Sequence, residues 1–392
     1  MRPEKQGTRV RTFHARLVAA AAGLIIATTT LAACAADPSS APGAGESPAA
    51  SETPTPTPTP LTPVEQLLAD NKADPTACAV SFVVDGADLP PQLQHNDRLY
   101  DRLPLPRVEG RAFAGWYADQ ASAAAASADP ATGAASPAVR VNGSRLVACT
   151  NQRTTLYGAW TTPEQVAAAK TRVPIMMYHQ FTDKPGGESG WLRGNYSYIE
   201  DYRATMQYIK DSAFYLPTWD ELDAFIDGAL YLPNHSVIVT DDDADPTWLT
   251  MASPINEQLQ VVATSFDITV DGAATQNRFI LARSHTNDMH KAGANGKGEM
   301  VNLTPAQIAA DMNASVAALE GVGVGAPDAH EIMAYPFGHN DDRSKEGLRE
   351  AGFVLARTIE QGYVSVGSEK LALPCVRINF GMGVPAVKKL IG

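Results

Sequence analysis

At 392 residues, with 44% hydrophobic and 19% charged residues, the chain is too long for one small domain and has room for two or three. Its 31 basic and 43 acidic residues give a formal charge of -12, which excludes nucleic acid as a partner, because phosphate recognition needs a concentrated basic face. A single long apolar run, near the amino terminus, excludes a polytopic membrane protein.

That run comes first in chain order. A basic stretch ends at Arg16, Leu17 to Leu31 is apolar, and small residues precede Cys34, which is the layout of a secretory signal. An ordinary signal with an incidental cysteine has the same layout. Apolar residues followed at once by cysteine also resemble the lipobox of bacterial lipoproteins. The resemblance implies cleavage after residue 33 and a lipidated Cys34 at the outer face of a Gram-positive cytoplasmic membrane. Losing residues 1–33, with five basic residues and one acidic, would take the charge from -12 to -16. Residues 34–75 are rich in Ala, Ser, Pro and Thr and include Thr53 to Pro60 as a Thr-Pro repeat, so a disordered stalk is expected. Alternating prolines extend at ~3.1 Å per residue, roughly 30 Å from Thr53 to Pro63.

A small unit follows at 76–160. Cys78 to Val84 reads as a strand with a turn at Asp85-Gly86, and Phe113 to Tyr117 and Thr155 to Trp160 follow. Gly115-Trp116-Tyr117 and the closing Leu156-Tyr157-Gly158-Ala159-Trp160 resemble the Listeria–Bacteroides repeat of the internalin type, which implies a small β-grasp-like module. Ala118 to Ala138 departs from that pattern and reads as a loop. Trp116, Tyr117 and Trp160 are either core or sugar-stacking residues. Cys78 and Cys149 bracket the unit, and in an exported protein a disulfide between them is plausible. Cys375 is left over, as a buried thiol.

From 161 to 392 strands and helices alternate. Val173–Tyr178, Ser236–Thr240, Phe279–Ala282 and Glu331–Tyr335 read as buried strands. Tyr198–Ser212, Thr218–Gly228, the segment from Thr304 to about Glu320 and Asp341–Ala351 read as helices. The fold class expected is α/β, a distorted (β/α) barrel behind the small β module, with its chemistry on loops at the carboxyl ends of strands.

Four polar motifs sit at those ends: Met177-Tyr178-His179; Thr240-Asp241-Asp242-Asp243-Ala244; Ser284-His285-Thr286 with His290; and Ala334-Tyr335-Pro336-Phe337-Gly338. One carboxylate and two imidazoles make a ligand set that leaves room for water and substrate, which suits catalytic zinc, and Asp243, His285 and His290 fit it. Residues five apart diverge by about 140° on a helix, so a loop is the better support for both histidines. In order and residue type the motifs resemble the polysaccharide deacetylases (NodB homology domain), in particular the poly-N-acetylglucosamine deacetylase-like branch. The resemblance implies N-deacetylation of an N-acetylated cell-wall or exopolysaccharide glycan by a monomer holding a divalent metal, most naturally Zn2+. Counted from Thr240, it gives Asp242 the role of general base and Asp243 that of ligand, with Asp241 the alternative for either, and it puts the Tyr335 main chain at the oxyanion. Thr286 then orients the histidine loop.

Three departures matter. Asp241 stands where the family has Phe, and Ala244 where it has Gly, which costs about 1 kcal/mol if that backbone needs positive φ. No histidine follows His339, so the family's late general acid is missing, and His179 is the candidate that remains. His339 is either site lining or surface. Arg377 matches a late family Pro-Arg segment and is expected to be structural. A relative that keeps the cleft but only binds glycan is the alternative reading.

Overall fold

The computed structural model describes residues 60–131, 140–274, 276–321 and 329–392. The expected signal, Cys34 and the Thr-Pro repeat up to Thr59 lie outside the described residues.

The stalk expected over 34–75 ends sooner, because helix α1 occupies Pro63–Asp70. Thr62 and Glu65 form a reciprocal capping box and Pro63 takes the first turn, so the sequence that stops the stalk also starts a helix. The small sheet comprises β1 Ala77–Val83, β2 Gln92–His95, β3 Ala112–Tyr117, β4 Arg140–Val141 and β5 Arg153–Thr161. Its order is β2-β1-β5-β3-β4. The loop expected over 118–138 is corrected too, since Gln120–Ala128 is helix α2. Asp119 accepts from the Ser122 N–H at 2.8 Å, and the helix it caps holds six alanines of high helix propensity. Trp116 and Tyr117 are buried, and Trp116 donates to the Pro104 carbonyl at 2.7 Å, so both are core residues. Trp160 likewise donates to the Asp85 carbonyl at 2.8 Å. Cys78 and Cys149 are disulfide-bonded, and Cys375 is a buried free thiol. Closing that loop contributes on the order of 4 kcal/mol in the chain-entropy account.

Helix α3 (Pro163–Ala169) leads into the barrel. Strand β6 is Ile175–Tyr178, and the short parallel pair β7 (Gln180–Thr182) and β8 (Tyr196–Tyr198) lies beyond its end. Helices α4 (Ile199–Asp211) and α5 (Trp219–Ile226) precede β9, Ile238–Asp243. Helix α6 (Ser253–Leu259) precedes β10, Ala263–Asp267, and β11 is Ile280–Ser284. Helix α7 is Pro305–Gly321, β12 is Ile332–Ala334 and α8 is Asp342–Glu350. Strands β13 (Leu355–Gln361) and β14 (Leu373–Arg377) and helix α9 (Val384–Ile391) complete the chain. Seven parallel strands close in the order β10-β11-β12-β13-β14-β6-β9. The fold is therefore α/β, a barrel behind a small sheet. One expected strand, Ser236–Thr240, proves to run on through all three aspartates to Asp243.

Sheet and barrel share a core. Phe113 and Trp116 of β3 lie in one buried cluster with Ile175, Leu355 and Leu373 of the barrel. The Phe113 N–H donates to the Ala229 carbonyl and the Tyr231 N–H to that of Phe113, both at 2.8 Å. The buried Arg140 guanidinium crosses the same seam beside Gly115, where a Cβ would lie 2.2 Å from Arg140 Nε. This seating leaves the carboxyl ends of the barrel strands free for loops.

Candidate metal centre

Parallel neighbours on a strand face opposite ways, so adjacent residues of β9 part company. Asp242 faces the barrel interior, where Arg357 of β13 bonds its Oδ1. Burial, the largest single influence, would raise the Asp242 pKa, but Arg357 together with His179 and His285 outweighs it and holds the carboxyl at about 2. His179 Nε2 stands 3.8 Å from Asp242 Oδ2. Burial pushes the His179 pKa down, so the imidazole is neutral at pH 7.

Asp241 faces outward, in register with Tyr178 of β6 and Ser265 of β10. It is buried and neither carboxyl oxygen has a hydrogen-bond partner among the described residues. Burial first, and then the charges of Asp242 and Asp243, push its pKa well up. The extra aspartate thus sits on the barrel's outer wall with its charged form disfavoured, apart from the three converging side chains.

Alternation would send Asp243 outward as well. Its backbone prevents this: Asp243 has φ 79° and Ala244 φ 49°. Asp243 Oδ1 lies 3.5 Å from His285 Nε2 and 3.4 Å from His290 Nε2. Ala244 therefore does occupy a left-handed position, at the expected cost of about 1 kcal/mol for its Cβ.

The histidine segment is a loop, as five-residue spacing requires. His285 Nδ1 lies 2.8 Å from the Ala334 carbonyl, which only accepts, so Nδ1 carries the proton and Nε2 presents a lone pair. Burial pushes the His285 pKa to about 4 and lowers that of His290. Thr286, at φ 78°, accepts from the Met289 N–H through Oγ1 at 3.2 Å and so holds the turn between the histidines. Asp311 of α7 accepts from the Asn287 and Asp288 N–H groups, both at 2.8 Å.

The ligand atoms of Asp243, His285 and His290 all lie within 4.8 Å of one another. A tetrahedral ion with bonds of about 2.1 Å spaces its ligand atoms about 3.4 Å apart, close to the separations here. Asp243 Oδ1 is buried with no hydrogen-bond partner among the described residues, and it faces a lone pair of neutral His285. Acceptors facing one another out of water repel unless a cation sits between them. The residues present fit a divalent metal.

One other expectation comes out differently. The Tyr335 main chain is not available to an oxyanion, because its N–H donates to the Arg357 carbonyl at 3.0 Å. Its side chain is buried and donates to the Leu371 carbonyl at 3.0 Å. The next residue that could present an N–H is Phe337, since Pro336 has none, and the Phe337 ring lies 4.5 Å from that of His290. His339 lines a loop: its Nδ1 accepts from the Gly298 N–H at 2.9 Å. Arg377 bonds Asn195 at 2.5 Å and Asn379 at 3.1 Å, holding two loops together. Arg357 was not anticipated, although an arginine inside the apolar run Phe353 to Ile359 demands a buried partner.

No family model matches the chain. The poly-beta-1,6-N-acetyl-D-glucosamine N-deacetylase of Staphylococcus aureus strain MRSA252 is 26% identical over 164 residues, which is 38% of this chain and 56% of that protein. The protein of the same name from strain N315 is 25% identical over 164 residues, with the same coverage of 38% and 56%. The chain spans about half the length of the curated relatives it matches. Among solved structures, Streptococcus pyogenes deacetylase PplD in complex with acetate is similar with a TM-score of 0.48 and 19% identity, covering 57% of this chain and 99% of that one. IcaB from Ammonifex degensii gives a TM-score of 0.46 and 20% identity, covering 56% of this chain and 97% of that one.

Proposed function

We propose that this chain is a metal-dependent N-deacetylase acting on a glycan that contains N-acetylglucosamine. The observation that carries the reading is the set of lone pairs converging from Asp243, His285 and His290, beside an ionised Asp242 at the barrel mouth. The names of the curated relatives supply the substrate class.

A divalent ion, most naturally Zn2+, would be held by those three side chains and would acidify water and polarise the acetamide oxygen. Asp242 accepts the proton of the attacking water. With a pKa of about 2 it is a weak base, and Arg357 keeps it ionised and aimed. The neutral His179, 3.8 Å away, relays that proton to the leaving nitrogen, so one proton passes from water to amine. We assign the oxyanion donor to the Phe337 N–H in place of Tyr335.

Export with a lipid tether at Cys34 belongs to the same reading. The Cys78–Cys149 bond supports it, since such bonds persist outside the cytosol. A glycan-binding relative without turnover is favoured by one observation, the strained Ala244. Acetate release from N-acetylglucosamine oligomers separates the two readings. Zinc-loaded protein should release acetate, and Asp242→Asn should lower the rate roughly 10²–10⁴-fold. Zinc-loaded protein that binds oligomers without releasing acetate establishes the binding reading instead.

A further inference from the structure

Large apolar side chains left in water near a polar site call for an explanation. Trp191, Leu192, Phe337 and Ile359 are exposed, and all four lie at or beyond the carboxyl ends of barrel strands. They follow one arc of the mouth. Phe337 comes after β12, Ile359 is on β13, and Trp191 and Leu192 are on the segment between β7 and β8 that continues from β6. Strand β14 lies between β13 and β6, and its last residue, Arg377, is bonded to Asn195 on the Trp191 segment. The three converging ligands occupy the other arc, after β9 and β11, where Val270 beyond β10 is the one large apolar side chain exposed among the described residues.

The arc is built rather than incidental. Phe337 has φ 57°, a conformation an aromatic residue adopts at a cost of about 1–2 kcal/mol, and its ring is still 42% exposed. Gly338 follows at φ 71°, where a Cβ would lie 2.4 Å from Ile359 Cγ1, so glycine lets Ile359 pack flush against the turn. Phe337 and Ile359 thereby form one shelf beside His290. At the far end Trp191 is 90% exposed, whereas Trp116, Trp219 and Trp248 are buried. From β12 to β6 the arc spans three inter-strand steps of about 4.8 Å, roughly 15 Å, longer than one sugar ring.

We propose that Phe337, Ile359 and Trp191 form an apolar track that holds the C–H faces of the sugar rings next to the reacting unit, with Trp191 as its far subsite. The identity of the ligand rests on the deacetylase reading. A pyranose offers an apolar face and a hydroxylated edge, which suits a flat apolar track beside a polar cleft. An anionic lipid surface is the poorer occupant for a chain of charge -12.

The test is the affinity of Asp242→Asn protein for β-linked N-acetylglucosamine oligomers of one to six units, by calorimetry, alongside acetate release by the unmutated enzyme. Affinity should rise with length over the first few units. Adding Trp191→Ala should remove that rise and weaken the longest oligomer roughly 2- to 10-fold. Val83→Ala, an exposed apolar residue of the small sheet, should keep the rise. Because Trp191 is almost wholly in water, its removal leaves the fold intact, which circular dichroism checks. A flat length profile, or one that survives Trp191→Ala, overturns the track even if acetate is released. A rising profile without acetate release supports the track and sinks the hydrolase reading. Trp191 fluorescence that responds to anionic vesicles and not to oligomers also overturns it.

Discussion

Two buried carboxylates, each bonded to a buried arginine, occupy opposite ends of the folded unit, and their surroundings differ. At the seam with the small sheet, Glu221 accepts from Tyr215 Oη at 2.5 Å, Arg140 at 3.2 Å, Asn142 at 2.6 Å and the Thr218 N–H at 3.2 Å. Both its oxygens are satisfied from within the protein. At the mouth, Asp242 is matched by Arg357, but its neighbour Asp243 keeps an unpartnered buried oxygen aimed at a histidine lone pair. Asp243, Ala244, Thr286 and Phe337 around it all have positive φ. A satisfied network specifies a structure, whereas an unsatisfied, strained one is held in readiness for something it binds.

One chemical change, carboxylate to amide, should therefore have opposite signs at the two ends. Glu221→Gln leaves Arg140 buried without its counter-charge and should cost about 3–5 kcal/mol in urea unfolding, with zinc affinity unchanged in the folded protein. Asp243→Asn lets an amide donate to a histidine lone pair and should stabilise the metal-free protein by about 1–3 kcal/mol while abolishing zinc-dependent stabilisation. Equal signs for the two variants in chelator would break the comparison.

Both faces of β9 were only partly legible beforehand. The motifs at the strand ends and the capping signals of the helices rest on local chemistry, so His179, Asp242, Asp243, His285 and His290 could be picked out. The direction each aspartate faces depends on where β9 ends and on the left-handed turn at Asp243, which no local pattern announces. Arg357 was missed because its partner is 115 residues distant. Tyr335 was assigned a free N–H that the β12–β13 ladder consumes, and ladder bonding is a tertiary fact. Helices α1 and α2 were missed for another reason: Pro- and Ala-rich composition outweighed the capping residues Thr62 and Asp119.

A smaller effect separates Asp241 from Asp242. A lowered folded pKa stabilises above the unfolded value of about 3.9 and the benefit fades as pH falls through the folded value, so Asp242 should lose its contribution towards pH 2. Asp241 runs the other way: its raised pKa favours the fold below about 3.9, and stability falls as pH rises from there. Asp241→Asn should therefore stabilise at pH 7, and the gain should vanish near pH 4 in denaturant titrations. A gain that is independent of pH would place Asp241 among the ionised groups of the site.

The division of labour along β9 is tested most directly by anomalous diffraction from crystals soaked in zinc. The ion should lie about 2.0–2.2 Å from a carboxylate oxygen of Asp243 and from the Nε2 atoms of His285 and His290, with Asp242 still on Arg357 and Asp241 remote. An ion bound through Asp241 or Asp242, or no ordered ion at this cluster, would contradict the account.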